Sequence, residues 1–98
     1  MSLRDEFKAE ILSAIGRSQD LGYNPTIFQQ MITANHPVEV GKKLVVSGEW
    51  QHGIKEMAKL GHLELTIESV MLQPQFKSLF TPAELAAAQW RLDNVPTK

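Results

Sequence analysis

Without cysteine, a chain does its proton and metal chemistry chiefly with histidine and carboxylate side chains. This 98-residue sequence has no cysteine and three histidines, His36, His52 and His62. Helix-borne metal ligands sit three or four residues apart so that both face one way, as in a His-Glu-x-x-His element. No two of these histidines are spaced like that. His36 falls at a helix joint and His62 just after a helix stop, where capping roles suffice, and His52 suits a solvated helix face. Glu64 and Glu68 lie four apart near a helix start. A carboxylate pair does acid–base work when its surroundings split the two pKa values. Acids at a helix start are also what the N-terminal dipole favours, and that is the expected role of this pair. An enzyme built on this chain would need Glu64, Glu68 and a histidine brought to them by folding.

Nucleophile and nucleotide signatures are missing. There is no Gly-x-Ser-x-Gly element. Gly41-Lys42-Lys43 has the end of a phosphate loop without its upstream glycine, inside an expected helix. No catalytic, metal or cofactor-binding residue is expected. A helix-turn-helix is conceivable over residues 37–60, with a turn at Ser47-Gly48-Glu49. Over residues 41–60, Lys42, Lys43, Lys55 and Lys59 outnumber Glu49 and Glu56, a local charge of +2. Gln51, His52 and Lys55 would read base edges or phosphates if the fourth helix lay in a major groove. Trp50, Trp90 and Tyr23 are the alternative kind of signal, because tryptophan and tyrosine anchor both interfaces and cores. With Leu85, Ala88 and Leu92 facing the core, Trp90 points to one side. The run Ala86-Ala87-Ala88 beside it would suit a homodimer or hetero-partner seam.

The elements that must position these residues read as about six short helices. Phe7, Ile11, Ala14, Ile15 and Leu21 recur at helical spacing over a first helix from Leu3 to Leu21, stopped by Gly22. Asn24-Pro25 predicts a second start, with the asparagine as cap and the proline in the first position. Ile27, Phe28, Met31 and Ile32 form its apolar stripe. Asn35-His36-Pro37 opens a third helix carrying Val38, Val40, Leu44 and Val45, whose valines make it dependent on burial. Trp50, Ile54, Met57 and Ala58 define a fourth, closed by Gly61. Thr66 caps a short helix with Leu65 and Val70 spaced as a hydrophobic staple, and Pro74 must end or kink it. Phe80-Thr81-Pro82-Ala83-Glu84-Leu85 spells out the last start: a threonine cap, proline in the first position, and a glutamate reaching back to the cap. That helix runs to about Asp93, and residues 94–98 read as a frayed tail.

Composition sets the outer bounds. A chain of this length forms one domain and buries roughly 60–70% of its unfolded surface. Hydrophobic residues at 43% and charged residues at 21% are those of a globular protein. A net charge of −1 gives no whole-domain grip on nucleic acid or anionic lipid. The N-terminus lacks the basic region and apolar run of a signal peptide, and no stretch approaches the roughly 20 apolar residues of a membrane span. A cytoplasmic location follows as an expectation.

Three segments, Leu21-Gly22-Tyr23-Asn24-Pro25-Thr26-Ile27-Phe28-Gln29-Gln30-Met31, Gly61-His62-Leu63-Glu64-Leu65-Thr66-Ile67-Glu68 and Leu79-Phe80-Thr81-Pro82-Ala83-Glu84-Leu85, with Arg91-Leu92 behind, together resemble a small all-helical domain of uncharacterised bacterial proteins. The resemblance spans residues 20–93. It implies an all-α fold and supplies no catalytic residues. The expectation is therefore a compact all-α bundle in a single domain over residues 1–98, serving as a non-catalytic protein-interaction or accessory module. A small nucleic-acid-binding domain is the alternative.

Overall fold

The computed structural model describes residues 2–47 and 52–95, with the backbone alone at Ile27, His52 and Gly53. Trp50, Gln51, Gly48-Glu49 of the expected turn and the last three residues of the expected tail lie outside the described residues. Within them the chain forms α1 (Leu3–Asp20), α2 (Thr26–Ala34), α3 (Pro37–Ser47), α4 (His52–Leu60), α5 (Ile67–Met71) and α6 (Pro82–Asn94), with 3-10 segments at Leu63–Leu65 and Pro74–Leu79. The architecture is a compact all-α bundle.

Most starts are made by side chains within three residues of the backbone they cap. In α6 the Glu84 N–H donates to Thr81 Oγ1 at 3.1 Å, and the Thr81 N–H donates to Glu84 Oε1 at 2.8 Å, a complete capping box. In α5 the Ser69 N–H donates to Thr66 Oγ1 at 3.2 Å. Ser2 does the same for Asp5 at the head of α1. Two stops depend on glycine. Gly22 and Gly61 have φ of 91° and 75°, in the left-handed region that side chains with a Cβ avoid. The residue after each then closes the helix end, Tyr23 N–H to the Ser18 carbonyl at 3.1 Å and His62 N–H to the Met57 carbonyl at 2.8 Å.

The start of α2 differs from the expectation. Pro25, not Asn24, is the cap residue, and α2 begins at Thr26. The Asn24 side chain is drawn back to α1, where its Oδ1 accepts from Gln19 Nε2 at 3.1 Å, and its carbonyl accepts from the Thr26 N–H. With both groups engaged there, Asn24 cannot cap. Leu21 also departs from the apolar face, being largely exposed.

The main core gathers Phe7 and Ile11 of α1, Val38 and Val40 of α3, Val70 and Met71 of α5, Phe76, Phe80 and Ala88. The Phe7 ring meets those of Phe76 and Phe80 edge-on, with centroids 5.3 and 5.4 Å away, a geometry the ring quadrupoles favour. Burial of Val38, Val40, Leu44 and Val45 holds α3 together despite its valines. A smaller cluster of Ala14, Met57 and Leu65, with Tyr23 packed on it, lies further along α1.

Candidate functional site: an apolar cleft beside a buried ion pair

Around this smaller cluster the packing is incomplete. A cleft of about 350 Å³ opens between α1, α2, α3, α4 and the segment Leu65–Glu68. Phe28 and Met31 of α2, Leu44 of α3 and Ile54 and Met57 of α4 supply apolar wall. Asn24 and Thr26, both exposed, stand where it reaches the surface. The volume and apolar lining are those of small-ligand sites.

The polar groups lining the inner wall are mostly committed elsewhere. The Ser18 hydroxyl donates to the Ala14 carbonyl at 2.9 Å, with the Met57 sulfur 3.7 Å away. Thr66 donates to the Leu63 carbonyl at 2.7 Å while accepting from Ser69. Glu68 is different. It is 2% exposed, and its Oε2 accepts from Arg91 Nε of α6 at 2.8 Å, with Arg91 itself 3% exposed. Glu68 Oε1 accepts no hydrogen bond among the described residues, yet it is not sealed from the surface. Tyr23 is half-buried at the edge, where burial first, and then the Glu56 carboxylate, raise its pKa.

The ion pair adds to a sequence expectation. Glu68 lies in the first turn of α5, where the helix dipole favours an acid as expected, and it is also a buried carboxylate held by an arginine 23 residues away. A signal was present. Arg91 follows Ala88 by three residues, so it lies on the helix face that Ala88 turns to the core. Glu64 does stay at the surface. His62 Nδ1 lies 2.9 Å from Glu64 Oε2, both residues being substantially exposed. That hydrogen bond, followed by one from the Glu64 backbone, lowers the Glu64 pKa. This histidine–carboxylate pair is not part of the cleft wall, so His62, Glu64 and Glu68 do not converge on one site.

His36 has the capping role expected of it. The Val38 N–H donates to its Nδ1 at 3.2 Å, and the Val40 N–H donates to its carbonyl. That bond needs the Nδ1 lone pair, so the ring is the neutral Nε2–H tautomer. Burial, then the charges of Arg4 and Lys8, lower its pKa below 6.5. Among the described residues no three His, Asp or Glu side chains converge as a metal site.

The lysines of the helix-turn-helix reading are dispersed in role. Lys42 Nζ lies 3.8 Å from Glu84 Oε1, tying α3 to α6, while Lys43 and Lys59 are exposed and Lys55 is half-buried. Helix α3 packs mainly on α6 and α1, and α4 mainly on the Leu63–Leu65 turn. Gly41 has a packing role, since a Cβ there would stand 3.1 Å from the Met71 sulfur. Trp90 is 59% exposed on α6, whereas Ala88 and Arg91 are buried.

Comparison with known proteins finds no matching family model, no matching curated protein and no matching solved structure.

Proposed function

We propose that this chain is a non-catalytic binding module, an interaction or accessory domain whose cleft receives an apolar group from another molecule. The observation that carries this reading is the cleft of about 350 Å³ beside the hydrophobic core. Its inner hydroxyls, those of Ser18 and Thr66, are engaged with backbone carbonyls, which supports binding over nucleophilic chemistry. Exposed Trp90 on α6 supports a protein partner as the bearer of the module's second contact. Engagement of Lys42 with Glu84 weakens the nucleic-acid alternative. A cytoplasmic setting suits a cysteine-free chain, and among the described residues no helix is long and apolar enough to cross a membrane.

Titration of the labelled protein with small apolar fragments, followed by amide and methyl chemical shifts, tests the reading. Saturable shifts centred on Leu44, Ile54 and Met57 are expected. Shifts scattered over the surface, or none at the solubility limit of the fragments, would overturn it.

A further inference from the structure

The polar floor of the cleft restricts what can enter. Glu68 is already balanced by Arg91, whose Nε sits 2.8 Å from Oε2. A cationic ligand would leave a net positive charge in an apolar enclosure, and an anion would face the carboxylate directly. Both are costly away from water. What Glu68 still offers is an acceptor. Oε1 lacks a hydrogen-bond partner among the described residues, while the Ser18 and Thr66 hydroxyls already donate to backbone carbonyls. A neutral donor placed on an ionised acceptor makes a charge-assisted hydrogen bond without changing the net charge of the site. The walls add a second criterion. Phe28 offers a ring to an aromatic ligand, and Met31 and Met57 offer polarizable sulfur.

We propose that the cleft selects an uncharged aromatic group bearing one hydrogen-bond donor, of the indole or phenol type, whose N–H or O–H is received by Glu68 Oε1. This inference rests on the cleft being the binding site, and it names the chemistry of the occupant. The same group occurs as a free small molecule and as a tryptophan or tyrosine side chain of a partner.

The full chain is titrated with indole, with benzothiophene, which has nearly the same shape and no N–H, and with a naphthylmethylamine cation. Indole is expected to bind about tenfold to a hundredfold more tightly than benzothiophene, the range for a hydrogen bond to a charged group. In a Glu68→Leu/Arg91→Met double variant, which removes both charges together, that ratio should fall to about one. Far-ultraviolet circular dichroism checks that this variant is folded, and Glu68→Gln, which should reduce the ratio without abolishing it, serves if it is not. N-acetyltryptophanamide separates the sources: binding tighter than indole supports a partner side chain, and weaker binding supports a free aromatic. Equal affinity for indole and benzothiophene, or tightest binding of the amine, overturns the inference while leaving the cleft as the binding site. Failure of every probe to bind removes the cleft reading itself.

Discussion

The two ends of α1 lead into different kinds of interior. Its first half sends Phe7 and Ile11 into the main core beside Phe76, Phe80, Val70 and Met71. Its second half presents Ala14 and Ser18 next to Met57 and Leu65, and there a cleft remains. Helix α5 serves both regions, with Val70 and Met71 in the packed end and Glu68 in the cleft wall. Along α1 the difference is one of side-chain volume: Phe7 and Ile11 face the main core, whereas Ala14 and Ser18 leave room between the larger side chains of the cleft wall, at the cost of lost packing contacts.

The comparison breaks most directly at Phe7. Phe7→Ala should cost about 3–5 kcal/mol in urea denaturation, whereas Met57→Ala, beside existing free volume, should cost about 2 kcal/mol. Equal losses would show that the two ends are packed alike. Next in size is the pair beneath the cleft. Arg91→Ala leaves the Glu68 charge buried and alone, and should cost about 3 kcal/mol, whereas Glu68→Leu/Arg91→Met should be at least as stable as the parent protein. Denaturation midpoints of the two variants settle the order. Added volume sharpens the contrast further. Val70→Phe should lose about 1–3 kcal/mol through overpacking, while Ile54→Phe grows into the cleft and should change stability by less than about 1 kcal/mol. Loss of ligand shifts in Ile54→Phe would accompany that tolerance.

Smaller effects lie outside both regions. Thr81→Ala removes half of the capping box and should lower stability by about 1 kcal/mol, read as a shift in thermal midpoint. His36 gives the smallest change. Its folded pKa lies below 6.5 because of burial and the nearby Arg4 and Lys8, with Asp5 and Glu39 opposing. Between that lowered value and 6.5 the unfolded chain binds more protons than the folded one, so stability rises with pH across this window. The contribution is complete above 6.5 and is lost as the pH falls to the folded value. A His36→Gln variant should show a flatter stability profile over the same range.

The sequence was legible wherever structure is made by near neighbours. Thr81 with Glu84, Thr66 with Ser69, and the stops at Gly22 and Gly61 are all completed within a few residues, and each was placed correctly. Pro25 was placed one position off because Gln19, on the preceding helix, claims the Asn24 side chain. The 3-10 segment at Leu63–Leu65 went unrecognised because three residues show no periodicity. The cleft was invisible for a different reason. A void is set by distances between side chains on separate helices, and no local pattern records them. Glu68 and Arg91 belong to the same class, being 23 residues apart.

That separation also orders events in time. The Thr81 box closes over three residues and can form on an emerging chain before any distant element exists. The Glu68–Arg91 bond has to wait until most of α6 has been made and has docked against α5. Thr81→Ala should accordingly slow refolding, and Arg91→Ala should chiefly quicken unfolding, a division that chevron kinetics can read. The ion pair would then act as a latch. Little of it is present while the bundle assembles, and its main effect is on how long the finished bundle stays closed.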